Sequence, residues 1–152
     1  MIKCIKAVVW GAVWVGIIGM AYAQFAKPED AIEYRQAAMV LLGQHFSRIG
    51  AMVMGKQTYD PKEVEQNAAL VETFAKLPWE AFLVPGTDKG DTKLKPTAFK
   101  DQQDFKALAA NTEMETAKLV KLAASGDMSA VKAQFGQVGK SCKACHEEYR
   151  AR

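Results

Sequence analysis

Two cysteines three residues apart with a histidine directly behind them, Cys142-Lys143-Ala144-Cys145-His146, lie on the apolar seam of a helical segment. The seam runs Val131, Phe135, Val138, Cys142, Cys145 and Tyr149, recurring at the three- and four-residue steps of one α-helical face. Residues at i, i+3 and i+4 share that face, so both thiols and the imidazole can address one planar ligand. The spacing is that of a haem held by two thioether bonds, with the histidine on one axial position of the iron. Such a seam must face other helices, because its cofactor would sit where side chains would otherwise pack.

Rival chemistries lack their remaining residues. A dithiol redox site needs only the cysteine pair, but it usually opens a helix after a strand, and no strand pattern precedes this one. Structural zinc needs four ligands, and the rest of the chain adds only Cys4 and His45.

The first 23 residues are expected to be a secretory signal. Lys3 and Lys6 give a basic start, residues 7–20 are apolar and uncharged, and Ala21-Tyr22-Ala23 supplies the small residues for cleavage before Gln24. A membrane anchor would need about 20 apolar residues without a cleavage pattern. Removal takes Cys4 away and leaves only the motif cysteines, so no disulfide framework is expected in spite of an oxidising destination. It also takes two of the chain's three net positive charges. A mature chain so close to neutral implies neither a nucleic acid nor an acidic-surface partner. Residues 24–152 then suit one domain with a single core, periplasmic and without a membrane contact.

Four helical segments are predicted. Over residues 28–54, Ile32, Met39, Leu42, Phe46, Ile49 and Val53 mark one face, with Pro28 acceptable in the first turn. Asp60-Pro61-Lys62-Glu63 reads as a second start capped by Asp60, followed by Val64, Ala68, Val71 and Ala75 on one face and stopped at Pro78. A third helix over residues 100–125 carries Phe105, Leu108, Thr112, Leu119, Leu122 and Ala123, with Gly126 at its C-terminus. Asp127 caps the fourth, which holds the cysteine motif. No segment alternates with period two, so the expected fold is all-α, an antiparallel up-down-up-down four-helix bundle. The connection over residues 83–97 is long for a bundle, and loops of that length are usually functional or mobile.

These residues resemble the cytochrome c′ family of class II c-type cytochromes, itself a standard instance of the up-down-up-down bundle. The resemblance rests on the C-terminal Cys-X-X-Cys-His followed by Glu147-Glu148-Tyr149-Arg150, the opening Gln24-Phe25-Ala26-Lys27-Pro28-Glu29-Asp30-Ala31, Tyr34-Arg35-Gln36, and Leu77-Pro78-Trp79-Glu80-Ala81-Phe82. It spans essentially the whole of residues 24–152. Ordinary electron-carrier cytochromes c place the motif near the N-terminus, which makes its position here discriminating. The resemblance implies a periplasmic homodimer with one haem c per chain, bound through Cys142 and Cys145, and iron held by His146 and open on the other face. It also implies binding of nitric oxide and carbon monoxide and electron exchange with a periplasmic partner; no enzymatic activity is expected, since no base, nucleophile or substrate-sized polar site converges on the haem.

The family's other haem contacts map onto Arg35 and Gln36 at the propionates, where a planar guanidinium suits a carboxylate. Asp91 maps to the propionate edge, with Thr87 the neighbouring candidate because Leu83-Val84 runs one residue longer than the family pattern. Trp79 and Phe82 match pocket aromatics, and core filling accounts for them equally. Arg150, expected on the helical face of His146, matches a cation beside the proximal imidazole and equally a favourable charge at a helix end.

Met39, one turn beyond Arg35, stands where the family carries the apolar residue that shields the vacant iron face. A thioether is also a haem ligand in electron-transfer cytochromes, so two readings stay open: five-coordinate iron that binds gases, or a low-spin His146/Met39 electron carrier. His45, six residues past Met39, falls about 240° round the helix and is expected at the surface. The dimer is expected to use the first two helices, with Val40, Leu41 and Met52 as an exposed apolar row.

Overall fold

The computed structural model describes residues 24–152. The signal read over residues 1–23, with Cys4, lies outside them. Helix α1 runs Pro28–Val53, α2 Pro61–Ala75, the single turn α3 Thr97–Lys100, α4 Gln102–Ala123 and α5 Met128–Tyr149, with a 3-10 turn over Pro78–Ala81.

Local chemistry sets most of these boundaries. Asp60 Oδ1 accepts from the backbone N–H of Lys62 and Glu63, and Asp127 Oδ1 from Ser129 and Ala130. Both aspartates thereby cap helix starts whose first N–H groups have no partner within the helix. Gly126 turns the chain between α4 and α5 at φ 71°, where any other residue would be strained. The third predicted helix is the continuous α4, and Asp101, at φ −107° and ψ 44°, separates it from the single turn α3 that precedes it.

α1 packs on α2 and α5, and α4 on α2 and α5. The ends that meet show the directions. Ile49, Met52 and Val53 late in α1 join Val64, Ala68 and Val71 of α2, Leu119 and Ala123 late in α4, and Val131 and Val138 of α5. A second apolar cluster forms at the opposite end, where Phe105 early in α4 meets Tyr149 at the end of α5, with Leu94 and Ala98 from the connection. The expected all-α antiparallel bundle is the fold observed, and no strand forms among the described residues apart from a bridge between Leu94 and Arg150.

Two surface expectations change. Met52 is 2% exposed and belongs to the core, because the α1–α2 turn folds back over it, with Lys56 and Gln57 donating to Ala51 O and Tyr59 packing on the same cluster. Val40 and Leu41 do remain exposed on α1, alongside Leu70 and Leu77 from the α2 side. His45 is half-buried in the α1–α2 seam, its Nδ1 2.8 Å from Asn67 Oδ1 and its ring stacked on Phe74. Asn67 Nδ2 donates to Glu63 O, which leaves Oδ1 as the acceptor for a His45 Nδ1–H.

Candidate haem site

Cys142 borders the first apolar cluster and Cys145 the second, so the two thiols mark the junction between the two cores. Both are free and half-buried, and His146 follows at the surface. Burial raises the pKa of both thiols; that of Cys145 reaches about 11, with Cys142 adding to the effect. Desolvation, and then the positive charge of Arg150, hold His146 below the usual imidazole value. Neutral imidazole is the form that ligates a metal.

Beside Cys145 stands an aromatic wall. Trp79 and Phe82 stack at 5.8 Å, Phe105 meets Phe82 at 5.3 Å, and Tyr149 meets Phe105 edge-on at 5.2 Å. A cleft of about 330 Å³ opens along Trp79, Leu83, Phe105 and Ala109. The indole Nε1 of Trp79 is buried with no acceptor among the described residues, a costly arrangement unless a bound group supplies one.

Arg35 is 3% exposed and spans from α1 to the long connection. Its guanidinium donates to Ala81 O at 3.2 Å, and to Thr87 O and Thr92 Oγ1 at 2.6 Å each, and lies 4.7 Å over the Phe82 ring. Burial lowers its pKa to about 10. Three of its five N–H donors are therefore committed to protein oxygens. Gln36 Nε2 donates to the backbone carbonyl of Asp91, whose own side chain is not the contact. Thr87, fully buried, donates its hydroxyl to Phe82 O and Val84 O. The structure thus gathers Arg35, Gln36, Phe82, Thr87 and Asp91 at one place, with the connection packed on α1 as a strap.

The strap also reaches α5. Lys95 N donates to Tyr149 O, Ala151 N to Lys93 O, and Lys95 Nζ to the carbonyls of Glu147 and Glu148. This pairing corrects the placement of Arg150. It is not helical but extended, at φ −109° and ψ 126°, because the strap engages the chain on both sides of it, and its N–H closes onto His146 O. Its charge acts on His146 from the position that ends the helix. Lys95 carries no signal in the sequence, since its partners are backbone groups far away in the chain, and Thr92 carries none because the Arg35 guanidinium that it accepts from lies 57 positions away.

The residues fit a covalently attached haem: free thiols one helical turn apart, an adjacent imidazole, an aromatic wall and an orphaned buried donor. Fold and site together define a c-type haem protein of the four-helix-bundle class. Residues 30–150 match the family model described as Cytochrome C'. Cytochrome c' of Rubrivivax gelatinosus is 45% identical over 84% of this chain and 98% of the relative. The structure of cytochrome c prime from Shewanella frigidimarina superposes with a TM-score of 0.82 at 38% identity, covering 84% of this chain and 99% of that one. A nitric oxide complex of a mutant cytochrome c prime from Alcaligenes xylosoxidans superposes at 0.79 with 40% identity, over 85% of this chain and 99% of the other. The chain belongs to the cytochrome c' family, whose cofactor is covalent haem c, here attached through Cys142 and Cys145.

Proposed function

We propose that this protein is a periplasmic, gas-binding haem protein in which His146 is the one protein ligand to iron and the face beneath Met39 is left open. When bound, the haem supplies an iron that accepts nitric oxide or carbon monoxide and can exchange an electron with a redox partner. The observation that carries the reading is the commitment of the polar side chains one turn before Met39: three of the five Arg35 donors serve protein oxygens and its cation lies over Phe82, while Gln36 Nε2 donates to Asp91 O. A distal side whose neighbouring polar side chains are drawn to the strap disfavours stable oxygen binding and admits nitric oxide. The Alcaligenes relative captured with nitric oxide supports the same assignment.

The polar groups beside the thiols serve structure, and we therefore read binding and transfer rather than enzymatic turnover. Residues 24–152 form the mature domain in this reading, exported and freed of residues 1–23. No helix among the described residues is long and apolar enough to cross a membrane. Val40, Leu41, Leu70 and Leu77 give a second copy an apolar face to cover. Arg35 and Gln36 hold the propionate edge together with the strap residues Thr87 and Asp91, and Arg150 stands beside the proximal imidazole.

Half-burial of the Met39 thioether on α1 favours one rival, a low-spin His146/Met39 electron carrier. Visible and electron paramagnetic resonance spectra of the holoprotein decide between the two. High-spin iron that takes up carbon monoxide is the expected result. A low-spin spectrum that becomes high-spin on Met39→Ala would overturn the open-face reading.

A further inference from the structure

The last turn of any α-helix leaves four carbonyls without intrahelical partners, and such turns fray. In α5 that turn begins with His146, directly after Cys145. All four carbonyls are nonetheless engaged: His146 O by Arg150 N, Glu147 O and Glu148 O by Lys95 Nζ at 3.0 and 2.9 Å, and Tyr149 O by Lys95 N at 2.8 Å. One residue of the strap, more than fifty positions earlier in the chain, thus serves three of the four. Its ammonium sits at the negative end of the helix dipole.

We infer that Lys95 is a positioning residue for the proximal ligand, locking the terminal turn of α5 so that His146 keeps one orientation towards the iron. The claim rests on the reading of His146 as axial ligand. The strap carrying Lys95 is anchored in turn to α1, where Arg35 Nη2 and Leu94 N both donate to Thr92 Oγ1. The proximal turn is therefore tethered to the helix that carries Met39. A cation there also stabilises the ferrous state relative to the ferric.

The test uses ferrous holoprotein, its resonance Raman iron–histidine band, its midpoint potential and amide exchange. Lys95→Met removes ammonium and donors together. The expected outcome is a shifted or broadened band, a lower potential and exchange of the Arg150 N–H faster by on the order of tenfold, with Lys95→Arg restoring all three. A band and potential unmoved by Lys95→Met would overturn the inference, even if thermal stability fell. Should Lys95→Met yield no holoprotein, Lys95→Gln, which keeps a donor without the charge, takes its place under the same criteria. Absence of any iron–histidine band in the unsubstituted protein would instead remove the His146 reading itself, a failure distinct from an unmoved band.

Discussion

Arg35→Met is the most informative single perturbation of the site, because two opposing terms meet there. The guanidinium is held with its pKa lowered to about 10 by burial. At about 1.4 kcal/mol per unit, that is a burial penalty of roughly 3 kcal/mol on the charged form near neutral pH. Three charge-assisted hydrogen bonds oppose it, at about 1.5–3 kcal/mol each, with about 1–2 kcal/mol from the stack over Phe82. Methionine relieves the penalty but leaves the carbonyls of Ala81 and Thr87, both fully buried residues, without this partner. The net loss is about 3–8 kcal/mol, enough to lower the midpoint temperature by roughly 10 °C or more in a domain of this size. The assay is urea unfolding of holoprotein followed by far-ultraviolet circular dichroism, with the m-value checked for constancy. Arg35→Lys keeps the charge but not the fork and should fall between the two. A loss below about 1 kcal/mol for Arg35→Met would refute the view that this side chain seats the strap on α1.

Glu115 joins α4 to α5, accepting from Lys118 Nζ at 2.7 Å and from Gln134 Nε2 at 2.6 Å, and those bonds hold its carboxyl below the usual value. A depressed carboxyl contributes stability above the unfolded value of 4.5 and loses it as pH falls through the folded one; Glu115→Gln should cost about 1–2 kcal/mol at neutral pH and flatten the acid limb of a urea-midpoint titration, and an unchanged slope would argue against it. Gly50→Ala would place a Cβ 2.8 Å from Phe135 Cζ, on a ring already stacked at 4.1 Å against Phe46. Overpacking of about 1–3 kcal/mol should exceed the helix-propensity gain of about 1 kcal/mol, so a higher thermal midpoint for this variant would contradict the packing described. Leu41→Lys should shift the sedimentation equilibrium towards monomer, and an intact dimer would remove that face from the interface.

Short-range chemistry was legible in the sequence. Asp60 and Asp127 cap helices because their partners lie two and three residues away, and the Val131-to-Tyr149 stripe emerges from periodicity alone. What depends on distant backbone was not legible. Met52 shares the helical phase of Leu41, yet the α1–α2 turn covers it. Arg150 continues the helical spacing of His146, yet the strap draws it into extended geometry. The resemblance pointed to Arg35, but its partners Ala81 O and Thr87 O are main-chain atoms that carry no sequence signature. Lys95 looks like any loop lysine until the chain closes.

The placement of both thiols on adjacent turns of one helix has a thermodynamic consequence. A cross-link stabilises through the unfolded state in proportion to the logarithm of the loop it closes, and a pair at i and i+3 closes almost none. The thioethers therefore contribute little as covalent cross-links. Because they keep the haem on the chain after unfolding, mass action, by which a dissociable ligand stabilises the fold that binds it, does not operate either. Free haem in solution should leave the unfolding midpoint unchanged. What the cofactor contributes to stability must come from the surfaces it covers in the folded bundle.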